Sequence, residues 1–138
     1  MNAPKNSHEF LQHWRQYGDD KCRKYGYLIN TGGAKLSEIF KAEIAMGLLG
    51  EIIDVLFEMW NSVDSSGIYE ILYGLSTVKR FSLSLQFLSK SEKEILSKLF
   101  SKLEDTLKDI EGTSTENYVD KKSLKELEKA YGIIVEDE

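Results

Sequence analysis

The chain has 138 residues, of which 41% are hydrophobic, and carries a formal net charge of −5 at pH 7. This length suggests one domain with a real core, and the acidic balance argues against a general nucleic-acid or anionic-membrane binder. Apolar runs stay short of the roughly 20 residues needed to span a bilayer, and the first residues lack the basic and then apolar pattern of a signal peptide. Cys22 is the single cysteine, which excludes an intramolecular disulfide and a cysteine metal cluster. These features predict a protein of the cytosol or nucleus.

The first third of the sequence predicts three helices. Ser7 can cap the first helix and Gly18 can end it, whereas Asp19 or Asp20 can start the second. Residues 30–33, Asn-Thr-Gly-Gly, are a clear break before a short third helix. The apolar positions at helical spacing are Phe10, Leu11, Trp14, Tyr17, Tyr25, Leu28, Ile29, Leu36, Ile39 and Phe40.

Residues 43–60, EIAMGLLGEIIDVLFEMW, form the most apolar segment. On a wheel at 100° per residue its apolar side chains cover more than half of the circumference. The pattern therefore predicts one helix over residues 43–60 at the centre of the fold, touched by several others. Gly47 and Gly50 each cost such a helix about 1 kcal/mol relative to alanine, so close packing is a reason to tolerate them.

The second half of the chain predicts further helices. A polar turn at residues 61–67 precedes a helix whose apolar positions include Ile68 and Leu75, and Ser91 and Glu94 fit a capping box that opens a helix reaching Ile110. Asp120 can cap a last helix. Its inner face is predicted to contain Leu124, Leu127, Ala130 and Tyr131.

The predicted fold is all-α, a compact single-domain bundle of seven to eight helices. Its predicted organisation is a disordered N-terminal tail (residues 1–6), a helical domain (residues 7–133) with an internal linker (residues 112–119), and an acidic tail (residues 134–138).

The stretch RFSLSLQFLS, residues 80–89, alternates apolar and polar residues as a half-buried strand does. A lone strand in a helical chain would leave its backbone groups unsatisfied, so we interpret residues 78–88 as a helix. The core face of this helix is predicted to contain Val78, Phe81, Leu85 and Leu88. The opposite face carries Arg80, Leu83 and Phe87.

This second apolar stripe has two competing explanations. The helix could be buried on both sides, as central helices are. Alternatively, Leu83 and Phe87 are exposed and form a docking patch with Arg80 at its rim. Arginine beside exposed aromatic and aliphatic groups is typical of protein interfaces.

Catalytic and metal-binding patterns are weak. His8 and His13 are five residues apart, off the spacing that places two ligands on one helical face, and are expected to be solvated. Cys22 is expected to be a buried or half-buried bystander. Residues 31–35, Thr-Gly-Gly-Ala-Lys, lack the spacing of a phosphate loop, and Trp14 and Trp60 are expected to be core anchors. The sequence predicts neither an enzyme nor a bound cofactor or metal.

Four segments resemble a known family. EFLQHWR (9–15), LSEIFKAEI (36–44), YEILYGLSTVKRFSLSLQFLSKSEKE (69–94) and LKELEKAYGI (124–133) occur in the order found in the C-terminal domain of RNA polymerase II-associated protein 3. The resemblance covers about residues 7–133. Within the family the sequence is most similar to the coiled-coil domain-containing protein 103 branch, factors in cytoplasmic assembly and axonemal attachment of dynein arms. That branch has an N-terminal coiled coil, and this sequence has no heptad run, so it is expected to be a fragment or a shorter relative.

The resemblance implies an all-helical adaptor. Relatives dock onto RuvB-like AAA+ ATPases in co-chaperone assemblies that work with the heat-shock protein 90 system. By motif position, the family's partner contacts fall on Arg80, Leu83, Ser84 and Phe87. The implied location is the cytoplasm, with the ciliary or flagellar axoneme as a further location. Two alternatives stay open: direct binding of axonemal dynein subunits or other assembly factors, and self-association.

Overall fold

Short turns join α-helices in the computed structural model of the chain, which describes residues 3–110 and 121–133, without the side chains of residues 107–110. The helices are α1 (Ser7–Gln16), α2 (Lys21–Thr31), α3 (Gly33–Ile39), α4 (Leu48–Glu58), α5 (Ser65–Ser76), α6 (Phe81–Gln86), α7 (Lys90–Ile110) and α8 (Lys121–Ala130), with a 3₁₀ turn at Ser62–Asp64 before α5. The described residues contain eight α-helices and no strand, so the predicted all-α bundle is confirmed. The predicted linker (112–119), the cap at Asp120 and the acidic tail lie outside the described residues.

Polar side chains at the helix starts fix the boundaries of α1 and α2. Asn6, and not the predicted Ser7, caps α1, because its Oδ1 accepts a hydrogen bond from the Glu9 backbone N–H at 2.9 Å. Asp20 caps α2 as predicted. Gly18 follows α1 with φ +57°, a conformation that favours glycine. Before α1, Pro4 is buried.

The capping box of α7 lies two residues ahead of the predicted one. Ser89 Oγ accepts from the Glu92 N–H at 3.1 Å, and Glu92 Oε1 accepts from the Ser89 N–H at 2.8 Å. The predicted pair, Ser91 and Glu94, has the same spacing but falls inside the helix. The capping box that forms, Ser89 and Glu92, directly follows Leu88, and the burial of Leu88 fixes where the chain enters α7.

The core is centred on α4, which packs between α2 and α7, while α5 packs against α3, α7 and α8. Seven of the eleven residues of α4 are buried. Phe10 of α1 joins this core through rings 5.2–5.4 Å away, which belong to Trp14, Tyr27 and Phe40. Trp14 is buried and Trp60 is partly buried against the core, as expected of core anchors.

The predicted helix over residues 43–60 is shorter in the structure, since α4 begins at Leu48. Gly47 adopts φ +82°, which ends any helix on its N-terminal side. Residues 41–47 form a loop that buries Ile44 and exposes Met46. Only the part from Leu48 onward is the predicted central helix.

The predicted helix over residues 78–88 is also shorter, because α6 covers Phe81–Gln86 alone. The Val78 N–H bonds the Leu75 carbonyl at 3.3 Å and the Lys79 N–H bonds the Lys41 carbonyl at 3.0 Å. These bonds form a turn that ties the start of α6 to the 41–47 loop. The predicted core face is confirmed: Val78, Phe81 and Leu88 are buried, and Leu85 is half-buried.

The buried face of α8 differs from the prediction at one position. Leu124, Leu127 and Tyr131 are buried as predicted, whereas Ala130 is exposed and Glu128 is buried in its place.

The predicted break at residues 30–33 is shorter in the structure, because Gly32 (φ +79°) alone separates α2 from α3.

Candidate functional site

A groove of about 90 Å³ lies between the 43–47 loop and the segment that carries α6. One wall is the loop itself, with Glu43 and Met46. The other wall contains all four residues predicted as partner contacts. These are Arg80, Leu83, Ser84 and Phe87. Leu49 and Gly50 at the start of α4 line the groove between the two walls.

The apolar side chains of the groove are open to solvent. Leu83 is 41% exposed, Phe87 is 55% exposed and Met46 is 82% exposed. The explanation that α6 is buried on both sides is therefore wrong for Leu83 and Phe87. The structure places the second stripe on the surface, next to an exposed Arg80.

A backbone hydrogen bond and a weak ion pair connect the two walls. The hydrogen bond from the Lys79 N–H to the Lys41 carbonyl, 3.0 Å long, joins the loop to the turn before α6. Above it, Arg80 Nη1 and Glu43 Oε2 form an ion pair at 4.0 Å. Both side chains of this pair are exposed, so it contributes little stability and its members can be re-paired by a ligand.

The base of the groove depends on a glycine. A β-carbon at Gly50 would collide with the carboxylate of Glu92, which lines the groove and completes the capping box of α7. The absence of a side chain at Gly50 leaves room for this carboxylate between α4 and the start of α7. The prediction that close packing explains the glycines agrees with the geometry at Gly50. It is wrong for Gly47, where a β-carbon would meet no atom within 4 Å and the positive φ is what favours glycine.

The sequence missed the wall formed by Glu43 and Met46. Both residues lie within the range of the helix predicted over residues 43–60. The available signal was Gly47, since a glycine between apolar residues can take a left-handed conformation that starts a helix. Ile44 is buried and Met46 is exposed because of the path of this loop, and a helical wheel does not predict that difference.

The other residues considered for catalysis or metal binding, His13 and Cys22 among them, do not form such a site. His13 Nδ1 and the Tyr27 hydroxyl form a hydrogen bond at 2.8 Å between α1 and α2. Cys22 is exposed, contrary to the expectation of a buried or half-buried thiol. In residues 3–110 and 121–133, no three His, Cys, Asp or Glu side chains are grouped to hold a metal ion. Helices in the same ranges are too short or too polar to cross a membrane.

Comparison with known proteins gives a family for this chain. A family model described as the potential Monad-binding region of RPAP3 matches residues 3–93, about two thirds of the chain, and this range contains every groove residue. Dynein axonemal assembly factor 19 of Xenopus tropicalis is 41% identical over 104 residues, which cover 75% of this chain and 45% of that protein. RNA polymerase II-associated protein 3 of the same species is 32% identical over 132 residues, 95% of this chain and 18% of that protein.

The chain thus spans less than half the length of these curated relatives. An NMR structure of the C-terminal domain of the human RPAP3 protein has the same fold, with a TM-score of 0.70 and 26% identity, and the match covers 95% of this chain and 90% of that domain. The predicted resemblance, including its dynein-assembly branch, is confirmed by these matches. The chain belongs to the family of the RPAP3 C-terminal domain.

Proposed function

We propose that this chain is a non-enzymatic protein-binding module in the assembly of axonemal dyneins, and that its groove docks a RuvB-like AAA+ ATPase. One observation carries the proposal. Three of the five large hydrophobic side chains exposed among the described residues, Met46, Leu83 and Phe87, line the same groove. Clustered exposed apolar groups with a polar rim mark interaction sites on protein surfaces.

The comparisons support a binding role. The family description names a partner, Monad, for the matched region of RPAP3, and the relatives include proteins named as dynein axonemal assembly factors. We therefore infer an adaptor that brings a dynein-assembly client to an ATPase co-chaperone complex, linked indirectly to the heat-shock protein 90 system. Its place of action would be the cytoplasm, with the axoneme as a second location.

The geometry suggests how docking would work. Phe87 stands at the edge of the groove and inserts into an apolar groove on the ATPase, while an apolar side chain of the partner fills the space between Met46 and Leu83. Arg80 exchanges its weak pair with Glu43 for a polar contact at the rim. Buried aromatic anchors of this kind contribute about 2 kcal/mol or more to binding.

The test is binding of this chain to the purified RuvB-like ATPase complex by calorimetry, with Phe87→Ala beside the wild type. Loss of the ring should raise Kd by about 30-fold or more. Tyr73→Ala is the matched control, because Tyr73 is 51% exposed, on α5, and does not line the groove. Met46→Ala tests whether the partner enters the groove or touches α6 alone. Circular dichroism of every variant reports folding.

The outcomes distinguish the docking site and the partner. If Phe87→Ala binds weakly, and both it and Tyr73→Ala are folded, the groove is the docking site. A folded wild type without affinity for the ATPase would refute this partner. The same variants would then be tested against purified dynein fragments, and sedimentation over a concentration series would test closure of a dimer through the groove.

A further inference from the structure

Helix α8 is fastened to the bundle at its C-terminal end by Tyr131. The Tyr131 hydroxyl donates a hydrogen bond to the Leu72 carbonyl of α5 at 2.5 Å. Its ring lies 4.8 Å from that of Phe81, the first residue of α6, and 5.5 Å from that of Phe100 in α7. Undocking of α8 would therefore remove a support from α5, α6 and α7 together.

The same buried face carries a carboxyl group, that of Glu128, which forms no ion pair within the described part of the chain. Glu128 is only 3% exposed, and its Oε1 has no hydrogen-bond partner among the described residues. Across the interface it faces Glu104 of α7, to which it is hydrogen-bonded. Two carboxyl groups can share a hydrogen bond only when one of them carries a proton.

The charges around Glu128 do not neutralise it. Glu104 is the charged group that acts on it from α7, and Lys125 is the one from α8 itself. The α5 group bonded at this end of α8 is the uncharged Leu72 carbonyl, which accepts from Tyr131. Burial first, then the hydrogen bond and repulsion from Glu104, raise the pKa of Glu128 from the usual 4.5 to about 7, and Lys125 opposes this only in part.

We propose that α8 is a pH-controlled strap: it is docked when the Glu104–Glu128 pair holds a proton and loosened when both carboxyl groups are ionised. The direction follows from linkage, because the docked state binds the proton more tightly than the undocked state. Docking is strongest below pH 4.5, weakens as the pH rises from about 4.5 to about 7, and then stays constant.

Through the Tyr131–Phe81 contact, the strap would also regulate the groove, and this consequence rests on the proposed function. Phe81 lies between Arg80 and Leu83, so an unsupported Phe81 would let the docking wall move. Loosening of α8 is expected to weaken partner binding. The strap itself needs no partner and is tested without one.

The experiment is hydrogen exchange of the full chain from pH 5.5 to 8.0, with rates corrected for the intrinsic pH dependence of exchange. Amides of α8 report docking, and amides of α4 report global unfolding. Protection of α8 in the wild type should fall about 25-fold over this range, the factor that one proton gives when its pKa moves from 4.5 to about 7. Glu128→Gln should abolish the pH dependence and keep α8 protected at pH 8.0.

Glu126→Gln is the control, since Glu126 is an exposed glutamate on the same helix and should behave as the wild type. If circular dichroism shows that Glu128→Gln does not fold, Glu104→Gln is used instead. It removes the facing charge and should reduce the change of α8 protection with pH. The proposal is overturned if α8 protection in the wild type changes less than about threefold over this pH range, or if α8 protection in Glu128→Gln depends on pH as strongly as in the wild type. Neither result bears on binding of the ATPase.

Discussion

Replacement of Gly74 by alanine should force α3 and α5 apart. The two helices cross where Gly33 of α3 meets Gly74 of α5. A β-carbon at Gly74 would lie 2.8 Å from the Gly33 carbonyl carbon and 3.1 Å from its Cα, and would overlap its carbonyl oxygen. All three atoms belong to the backbone, so no side-chain rotation can relieve the clash.

The expected cost of Gly74→Ala is a net loss of about 1 to 3 kcal/mol in the free energy of unfolding. Overpacking of this kind costs about 1–3 kcal/mol and occasionally more. If the helices part by about 1 Å, the contacts between them forfeit up to roughly half of their dispersion energy. The better helix propensity of alanine returns about 1 kcal/mol of the loss. The remainder is a large share of the roughly 5–15 kcal/mol that stabilises a domain.

Urea unfolding, followed by circular dichroism and by fluorescence of Trp14 and Trp60, measures this loss. Gly26→Ala is the matched control, since Gly26 lies inside α2 and a β-carbon there would meet no atom within 4 Å. That variant should gain about 0.5–1 kcal/mol from helix propensity. If Gly74→Ala is no less stable than Gly26→Ala, the close crossing of α3 and α5 is wrong.

Two further changes test individual contacts in the same unfolding assay. Ser89→Ala should lose about 1 kcal/mol by breaking the capping box of α7, whereas Ser91→Ala should stay within about 0.5 kcal/mol of the wild type; the reverse order would place the cap where the sequence pattern first suggested it. Tyr131→Phe should lose about 1 kcal/mol, because it removes the buried hydrogen bond from the Tyr131 hydroxyl to the Leu72 carbonyl. A neutral result would contradict that hydrogen bond.

The fold class could be predicted because its signals are local. Helical spacing of apolar residues and polar caps at helix starts act within a few residues of each other, and Gly18 and Asp20 mark boundaries where the structure has them. The crossing at Gly33 and Gly74 is different. It depends on two segments about 40 residues apart, and no local sequence pattern indicates that these two glycines are in contact.

The error on α8 came from residue type and not from geometry. At 100° per residue, Glu128 lies about 40° from Leu124 and Ala130 lies about 120° from it. The wheel alone therefore places Glu128 on the inner face. Residue type favours Ala130 instead, because charged residues are rarely buried without a partner. Glu128 is an exception to that rule, and its Oε1 has no hydrogen-bond partner among the described residues.

The groove arises from the two places where predicted helices are shorter in the structure. Had α4 begun at residue 43, residues 43–46 would continue its axis for about 6 Å at 1.5 Å per residue. Instead, Gly47 redirects the chain, and the Lys79–Lys41 hydrogen bond brings the loop beside the turn before α6. The stripe of Arg80, Leu83 and Phe87 was visible in the sequence because it lies on one short helix. Its opposite wall was not, because Met46 reaches the groove only through the turn at Gly47, which a helical wheel does not include.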